Sequence, residues 1–285
     1  MVTRLEQESI FRQPFSREWF DELGQSLAVM RRVVMAIMLR ESRTRYGASN
    51  LGYVWALIDP VIQLLIWLAV FSALGRTSPI AVPVSVFMLS GIVPFFFWRG
   101  AFARSASAVG ANIGLISYPQ VMPGDVVIAR TILEACTTVV VFFVITTFLF
   151  IIFEIPMGLY FDDPADLILA LGSLFYFALS IGFLSSGLGR VLPVWTNIQG
   201  YISRPLYILS GVFFTLEQLP TTVRGFMAYN PVAHQIEWIR SAAFESFDSS
   251  SYSVTFIFFS ATIALLIGLI IDRILLLTGD EEIVS

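Results

Sequence analysis

Between Gln25 and Arg45 the apolar positions recur every three or four residues. Leu27, Met30, Val33, Val34, Ile37 and Met38 fall on one side of a helix, with Arg32, Arg40 and Arg43 on the other. Such a helix is expected to rest in the headgroup plane of a membrane, or on a partner, rather than to cross the bilayer. The pattern then changes to six long apolar runs, near residues 54–74, 82–98, 134–153, 167–188, 198–216 and 254–271. Most have about the 20 residues that a spanning helix needs, and the second and last are expected to extend into their flanks. The predicted fold is an all-α polytopic membrane protein with six transmembrane helices. Residues 1–24 are polar, lack the apolar core of a signal peptide, and are expected to form a cytoplasmic N-terminus ahead of one membrane domain, 25–285.

Two connections are more than turns. Residues 105–125 contain the breakers Gly110, Gly114, Pro119, Pro123 and Gly124, and their middle, 111–118, is long enough for one short helix. Residues 217–250 are unusually apolar for a loop. Two short helices are predicted there, 221–228 and 231–244, the second capped by Asn230 with Pro231 at its first position. Neither is long enough to span, so both are expected to re-enter the membrane from outside or to pack on the spans.

Composition agrees with the membrane assignment. Of 285 residues, 56% are hydrophobic and 13% charged, about half the charged fraction of soluble domains. All 17 basic residues are Arg, so the Lys of a P-loop and of a Schiff base is missing. A single Cys and a single His give no disulfide and no zinc cage. A net charge of -4 gives no general attraction to nucleic acid. Eight Arg precede the first span, and Arg99, Arg104 and Arg130 flank the 105–125 loop, whereas the loop after the third span carries Glu154, Asp162, Asp163 and Asp166. The positive-inside rule then places both termini in the cytoplasm.

Several blocks resemble one family. RTRYGASNLGYVWALIDP (43–60) resembles the start of the first span in ABC-2 type exporters of polysaccharides. YPQVMPGDVVIARTILE (118–134), SGIVPFFFWR (90–99) and NPVAHQIEWIRSAAF (230–244) are similar to blocks of the capsule-export branch, in the same order. The resemblance covers roughly residues 25–278. It implies a permease that forms a homodimeric channel and docks on a dimer of separate ABC ATPase subunits, which bind the ATP and Mg; this chain itself is expected to hold no cofactor or metal and to have no catalytic residues. It further implies export of a lipid-linked capsular polysaccharide across the bacterial inner membrane, with a periplasmic copolymerase-type protein and an outer-membrane channel as further partners. Export of O-antigen or teichoic acid is the near alternative, and an intramembrane enzyme acting on lipid-linked sugars, or a scaffold without transport, the distant ones.

A sliding polysaccharide needs many weak contacts, which aromatic faces supply. Tyr53, Trp55, Phe95, Phe96, Phe97, Trp98, Tyr201 and Tyr207 are the expected conduit aromatics, weighed against interface belts and lipid packing. Asp59 and Arg204 are charges inside spans, where each costs about 2.5–3.5 kcal/mol at a helix centre, so they are expected to line a polar mouth, to pair, or to snorkel. Arg130 and Glu134, four apart, can pair on one helix face. His234, Glu237 and Arg240 share a face of the external helix and are expected to bond it to the spans. Cys136 reads as buried filler. The resemblance makes the 105–125 loop the coupling helix, with Ala111, Asn112, Ile113, Leu115 and Tyr118 as its ATPase contacts.

Overall fold

The computed structural model describes residues 17–46, 52–154 and 162–278; the side chains at 17–19, 44–46, 52–57 and 153 fall outside that description. Ten α-helices occur among the described residues, and no strand. Helix α1 (Arg17–Tyr46) starts inside the segment expected to be the polar N-terminus, so the boundary near residue 24 falls within a helix. Helix α2 (Gly52–Ala73) and α3 (Val84–Ser105) cover the first two expected spans. Helix α4 is a single turn, Ile113–Ile116, preceded by a 3-10 turn, Gly110–Asn112, in place of one continuous helix over 111–118.

Helix α5 (Pro123–Phe153) begins well before the expected residue 134. Pro123 opens it, and the Asp125 carboxylate accepts the Met122 N–H at 2.9 Å, which fixes the start. Helix α6 (Pro164–Val191) starts in the same way: Asp163 accepts the N–H groups of Ala165 and Asp166, each at 3.0 Å. Asp163, one of the acidic residues of the loop after the third span, is therefore a helix cap. Helices α7 (Trp195–Leu209), α8 (Thr221–Met227), α9 (Pro231–Ala243) and α10 (Val254–Thr278) complete the chain.

Among the described residues four helices, α3, α5, α6 and α10, are long and apolar enough to cross a membrane. The fifth expected span, 198–216, is instead the 15-residue α7, about 22 Å long at 1.5 Å per residue, followed by a turn. Gly211, at φ +73°, makes that turn in a left-handed conformation that L side chains rarely adopt.

Helix α6 is the hub and packs on α10, α3, α9 and α5. Its seam with α10 uses small residues, with Ile257, Ala261, Ala264 and Gly268 buried along one stripe of α10. Of these four long helices α3 is the most enclosed, with Phe87, Met88, Ile92, Phe95 and Ala101 fully or almost fully covered. By contrast α5 and α10 leave apolar faces outward, among them Phe143, Ile151, Leu266 and Ile270, as lipid-facing helices do. Cys136 lies on that exposed side rather than in the core. Helix α1 packs on α5 and α2 at the end of the bundle that carries α4, here termed the basal end; α8 and α9 lie at the distal end.

Candidate functional site

At the basal end, the apolar side of α1 is closed onto the bundle. Val34 and Ile37 are buried with Ala108, Val126, Val127 and Ala129, and Met30, Val33, Met38, Leu115 and Ile116 pack against that cluster. Elsewhere on α1, Leu27, Met35 and Leu39 remain more than half exposed. The helix therefore uses one part of its apolar surface for the protein and leaves another part free, as an interfacial helix does.

Glu41 follows Val34 and Ile37 on the packed side and carries a carboxylate into it. Its Oε1 accepts from Arg130 Nε at 2.7 Å and from Asn112 Nδ2 at 3.0 Å. Asn112 also donates to the Ala108 carbonyl at 2.9 Å, and Arg130 donates to the Arg104 carbonyl. Arg104 in turn pairs with Glu134, at 2.7 Å. The expected Arg130–Glu134 pair along one helix is thus replaced by two pairs between elements, Arg130 with Glu41 of α1 and Arg104 of α3 with Glu134 of α5. A guanidinium at a helix start reaches neighbouring elements as easily as its own next turn, and the burial of Glu41 favours the former. Around these groups lies a cleft of about 430 Å³ lined by Arg40, Glu41, Arg104, Ser107, Ala111, Asn112 and Arg130.

The expected coupling residues divide by exposure. Ile113 and Tyr118 are 43% and 56% exposed, and Met122 beside them 66%. Ala111 is exposed at the cleft wall, and Leu115 is half-buried against α1 and α5. Asn112 is 2% exposed and bonds inward, so it anchors the segment instead of presenting a contact.

The expected conduit residues also divide. Tyr53 and Trp55 lie on α2, but their side chains are outside those described. Asp59, Tyr201 and Arg204 are exposed, Tyr201 to 71%. Tyr207 is half-buried in an aromatic group, with ring centroids 5.0 Å from Phe95 and 5.1 Å from Phe213, and both Asp59 and Arg99 lie within electrostatic reach of it. Phe95, Phe97 and Trp98 are at most 5% exposed. Trp98 stacks on Phe102 of the same helix, Phe97 stacks on Phe175 of α6 and Phe95 lies against Tyr207 of α7, so these buried rings serve the packing of α3 and present no open face to a passing chain.

At the distal end the face of His234, Glu237 and Arg240 is a polar knot, as expected of a helix bonded to the spans. Arg240 is fully buried. It donates to Ser90 Oγ at 3.1 Å and to the carbonyls of Val212 at 2.9 Å, Phe214 at 3.1 Å, Phe87 and Gly211, and stacks over the Phe87 ring at 4.0 Å. Glu237 accepts the Leu216 N–H at 3.2 Å and the Ser249 hydroxyl at 3.0 Å. Burial pushes its carboxyl above the ordinary range, and the Arg240 charge opposes that rise. His234 Nδ1 accepts the Ser253 N–H at 3.0 Å, and its Nε2 lies 2.9 Å from the Ala228 carbonyl. Trp238 donates to both oxygens of Asp166.

Comparison with known proteins fits this arrangement. The signature of the ABC-2 type transporter family matches residues 32–244. The chain is 32% identical to the polysialic acid transport protein KpsM of Escherichia coli over 248 residues, 86% of this chain and 94% of that one. It is 27% identical to the capsule polysaccharide export inner-membrane protein CtrC of Neisseria meningitidis serogroup B, over 78% of this chain and 83% of the relative. The capsule polysaccharide export inner-membrane protein BexB of Haemophilus influenzae is also 27% identical, over 87% and 93% of the two chains.

Proposed function

The chain belongs to the ABC-2 type transporter family, and on that premise we propose that it is the membrane permease of an ATP-driven exporter of lipid-linked capsular polysaccharide. It is a multi-pass protein of the bacterial inner membrane and a transport subunit rather than an enzyme. ATP and Mg are bound by the partner ATPase. The observation that carries the reading is the basal end: a short helical segment with exposed apolar side chains, tied by Asn112, Glu41 and Arg130 to three other elements. A seat wired in this way passes a push from below into α1, α3 and α5 together.

In the finer reading the basal end is cytoplasmic, as are both termini, and the chain crosses six times, with α2 and the short α7 joining the four long helices. Two copies face each other across the conduit. Asp59, Tyr201, Arg204 and Tyr207, with Tyr53 and Trp55 on α2, contact the polymer, and Arg204 meets its acidic groups or the lipid phosphate. Exposure of Tyr201 and Arg204 on one side of α7 supports this assignment. A periplasmic copolymerase-type protein and an outer-membrane channel receive the product.

The test is co-purification with the ATPase subunit, together with export in a strain deleted for this chain. Recruitment of the ATPase and restored surface polymer are expected. Restored surface polymer with an Ile113→Asp, Tyr118→Ala double variant that no longer binds the ATPase would remove the reading.

A further inference from the structure

One ridge of α1 sets charge and apolar surface in a fixed order. Arg31, Met35, Leu39 and Arg43 follow each other at steps of four, so their side chains line one side of the helix. All four are exposed, Met35 to 54% and Leu39 to 62%. The ridge points away from the bundle, because Val34 and Ile37, the buried residues of this stretch, lie on the opposite side. Arg32, also exposed, stands one turn before Met35. From Leu23 to Arg40 the sequence holds no Asp or Glu, and Glu41, the next acid, is turned inward to Arg130. The outward side of this half of α1 is therefore cationic.

The depth of α1 along the bundle shows what meets that side. Its buried face covers α5 around Val126–Ile132. The large apolar side chains that α5 turns outward start at Val139, about 10 Å further along the helix at 1.5 Å per residue. A headgroup layer adds about 5–8 Å on each side of the hydrocarbon, so α1 runs at headgroup depth. Apolar side chains facing away from the protein at that depth meet acyl chains, and guanidinium groups beside them meet phosphates.

We infer that this ridge binds anionic phospholipid of the leaflet at the basal end, with Met35 and Leu39 set among the acyl chains and the lipid phosphates held by Arg31, Arg32 and Arg43. This rests on the reading of the chain as a membrane permease with its basal end at a bilayer surface. A zwitterionic headgroup cancels the charge of its own phosphate, so the three cations select lipid of net negative charge, each strengthening binding about fivefold. The lipid also reaches the coupling segment. Glu41 ties the inner side of α1 to Asn112 and Arg130, and a headgroup held on the outer side keeps α1 from lifting off them.

The purified permease in nonionic detergent is titrated with phosphatidylglycerol, phosphatidylcholine or inorganic phosphate, and its melting temperature is followed, because a ligand of the folded state raises it. For the wild type, phosphatidylglycerol is expected to give a saturable rise that phosphatidylcholine and inorganic phosphate do not reproduce. The triple variant Arg31→Gln, Arg32→Gln, Arg43→Gln should need tenfold or more phosphatidylglycerol for half of that rise, with an unchanged melting temperature before lipid is added. Replacement of the same three residues by Lys, which keeps the charge, should recover most of the affinity, so a loss by misfolding is recognised. The same response to phosphatidylglycerol in the wild type and the triple Gln variant, or the same response of the wild type to both lipids, overturns the inference. In nanodiscs of phosphatidylcholine alone, loss of ATPase recruitment or of self-association by the triple Gln variant would make the ridge a protein contact and overturn it too. The titration contains no ATPase and no polymer, so its failure leaves the permease reading standing.

Discussion

Glu41 Oε1 lies 2.7 Å from Arg130 Nε, although 89 residues separate the two in sequence. Their side chains are 16% and 11% exposed, so the pair is largely shielded from solvent. It makes α1 a part of the bundle and not a loose float at its side.

Removing either partner takes from the other a shielded counter-charge. Glu41→Ala and Arg130→Ala should each lower stability by about 1–3 kcal/mol. The double variant should lose less than the sum, with a coupling energy of about 0.5–3 kcal/mol. Thermal unfolding of the four proteins in detergent measures this cycle, and additive losses would mean that the pair does not connect the two helices.

The coupling segment should respond by position. Ile113 and Tyr118 are exposed, so Ile113→Asp and Tyr118→Ala should leave the melting temperature of the permease unchanged while recruitment of the ATPase and export fail together. Leu115 packs on the α1–α5 cluster, so Leu115→Asp should also lower the melting temperature. Equal melting temperatures for all three would place Leu115 outside that cluster.

The distal knot should be sensitive to removal of its cation and to crowding beside it. Arg240→Ala leaves Glu237 buried without its counter-charge and several carbonyls without a donor, a loss of about 3–5 kcal/mol. A Cβ on Gly91 would lie 2.7 Å from Arg240 Nη2 and 2.9 Å from Val212 Cα, and the second of these is backbone that cannot turn aside. Gly91→Ala should therefore cost about 1–3 kcal/mol. Gly172, with nothing within 4 Å of a Cβ, is the control: Gly172→Ala should be neutral or stabilising by up to about 1 kcal/mol. Unfolding midpoints of the three variants separate these cases.

Export and stability should part company along the aromatic residues. Tyr201→Ala and Arg204→Gln remove exposed side chains and should reduce export of an acidic polymer several-fold with no change in unfolding. Phe95→Ala empties a fully buried site and should cost about 3–5 kcal/mol. Export assays beside thermal scans decide it; wild-type export by both Tyr201→Ala and Arg204→Gln would remove α7 from the conduit.

Much of this architecture is written in simple periodicities. The apolar runs placed α3, α6 and α10 closely, and Asn230 with Pro231 gave the start of α9, because cap chemistry is local. The end of α7 was hidden for the opposite reason. Residues 210–216 are as apolar as a span, and what ends the helix is Gly211 together with a guanidinium that arrives from residue 240 to take the freed carbonyls. The Arg130 pairing was missed because a spacing of four is visible in sequence and a partner on another helix is not. Glu41 could have been found: a carboxylate in step with Val34 and Ile37 on the apolar side of an amphipathic helix asks for a cation. Phe95 and Trp98, expected in the conduit, are buried in the bundle, because aromatic residues for packing and for sugar contact look alike until their exposure is known.

The knot around Arg240 has a direction in time. Phe87, Ser90, Gly211, Val212 and Phe214, which surround the guanidinium, all precede it in the chain. A polypeptide made from its N-terminus has all of these partners outside the ribosome before the cation emerges, so the charge is matched as it arrives. Glu237 is different: the Leu216 N–H is waiting for it, but Ser249 is made after it, on the strand of chain that leads into α10. Insertion of the final helix thereby closes the last bond of the helix before it, and a chain that has left the ribosome only as far as residues 240–249 has every partner of the cation outside but not yet Ser249 for the carboxylate.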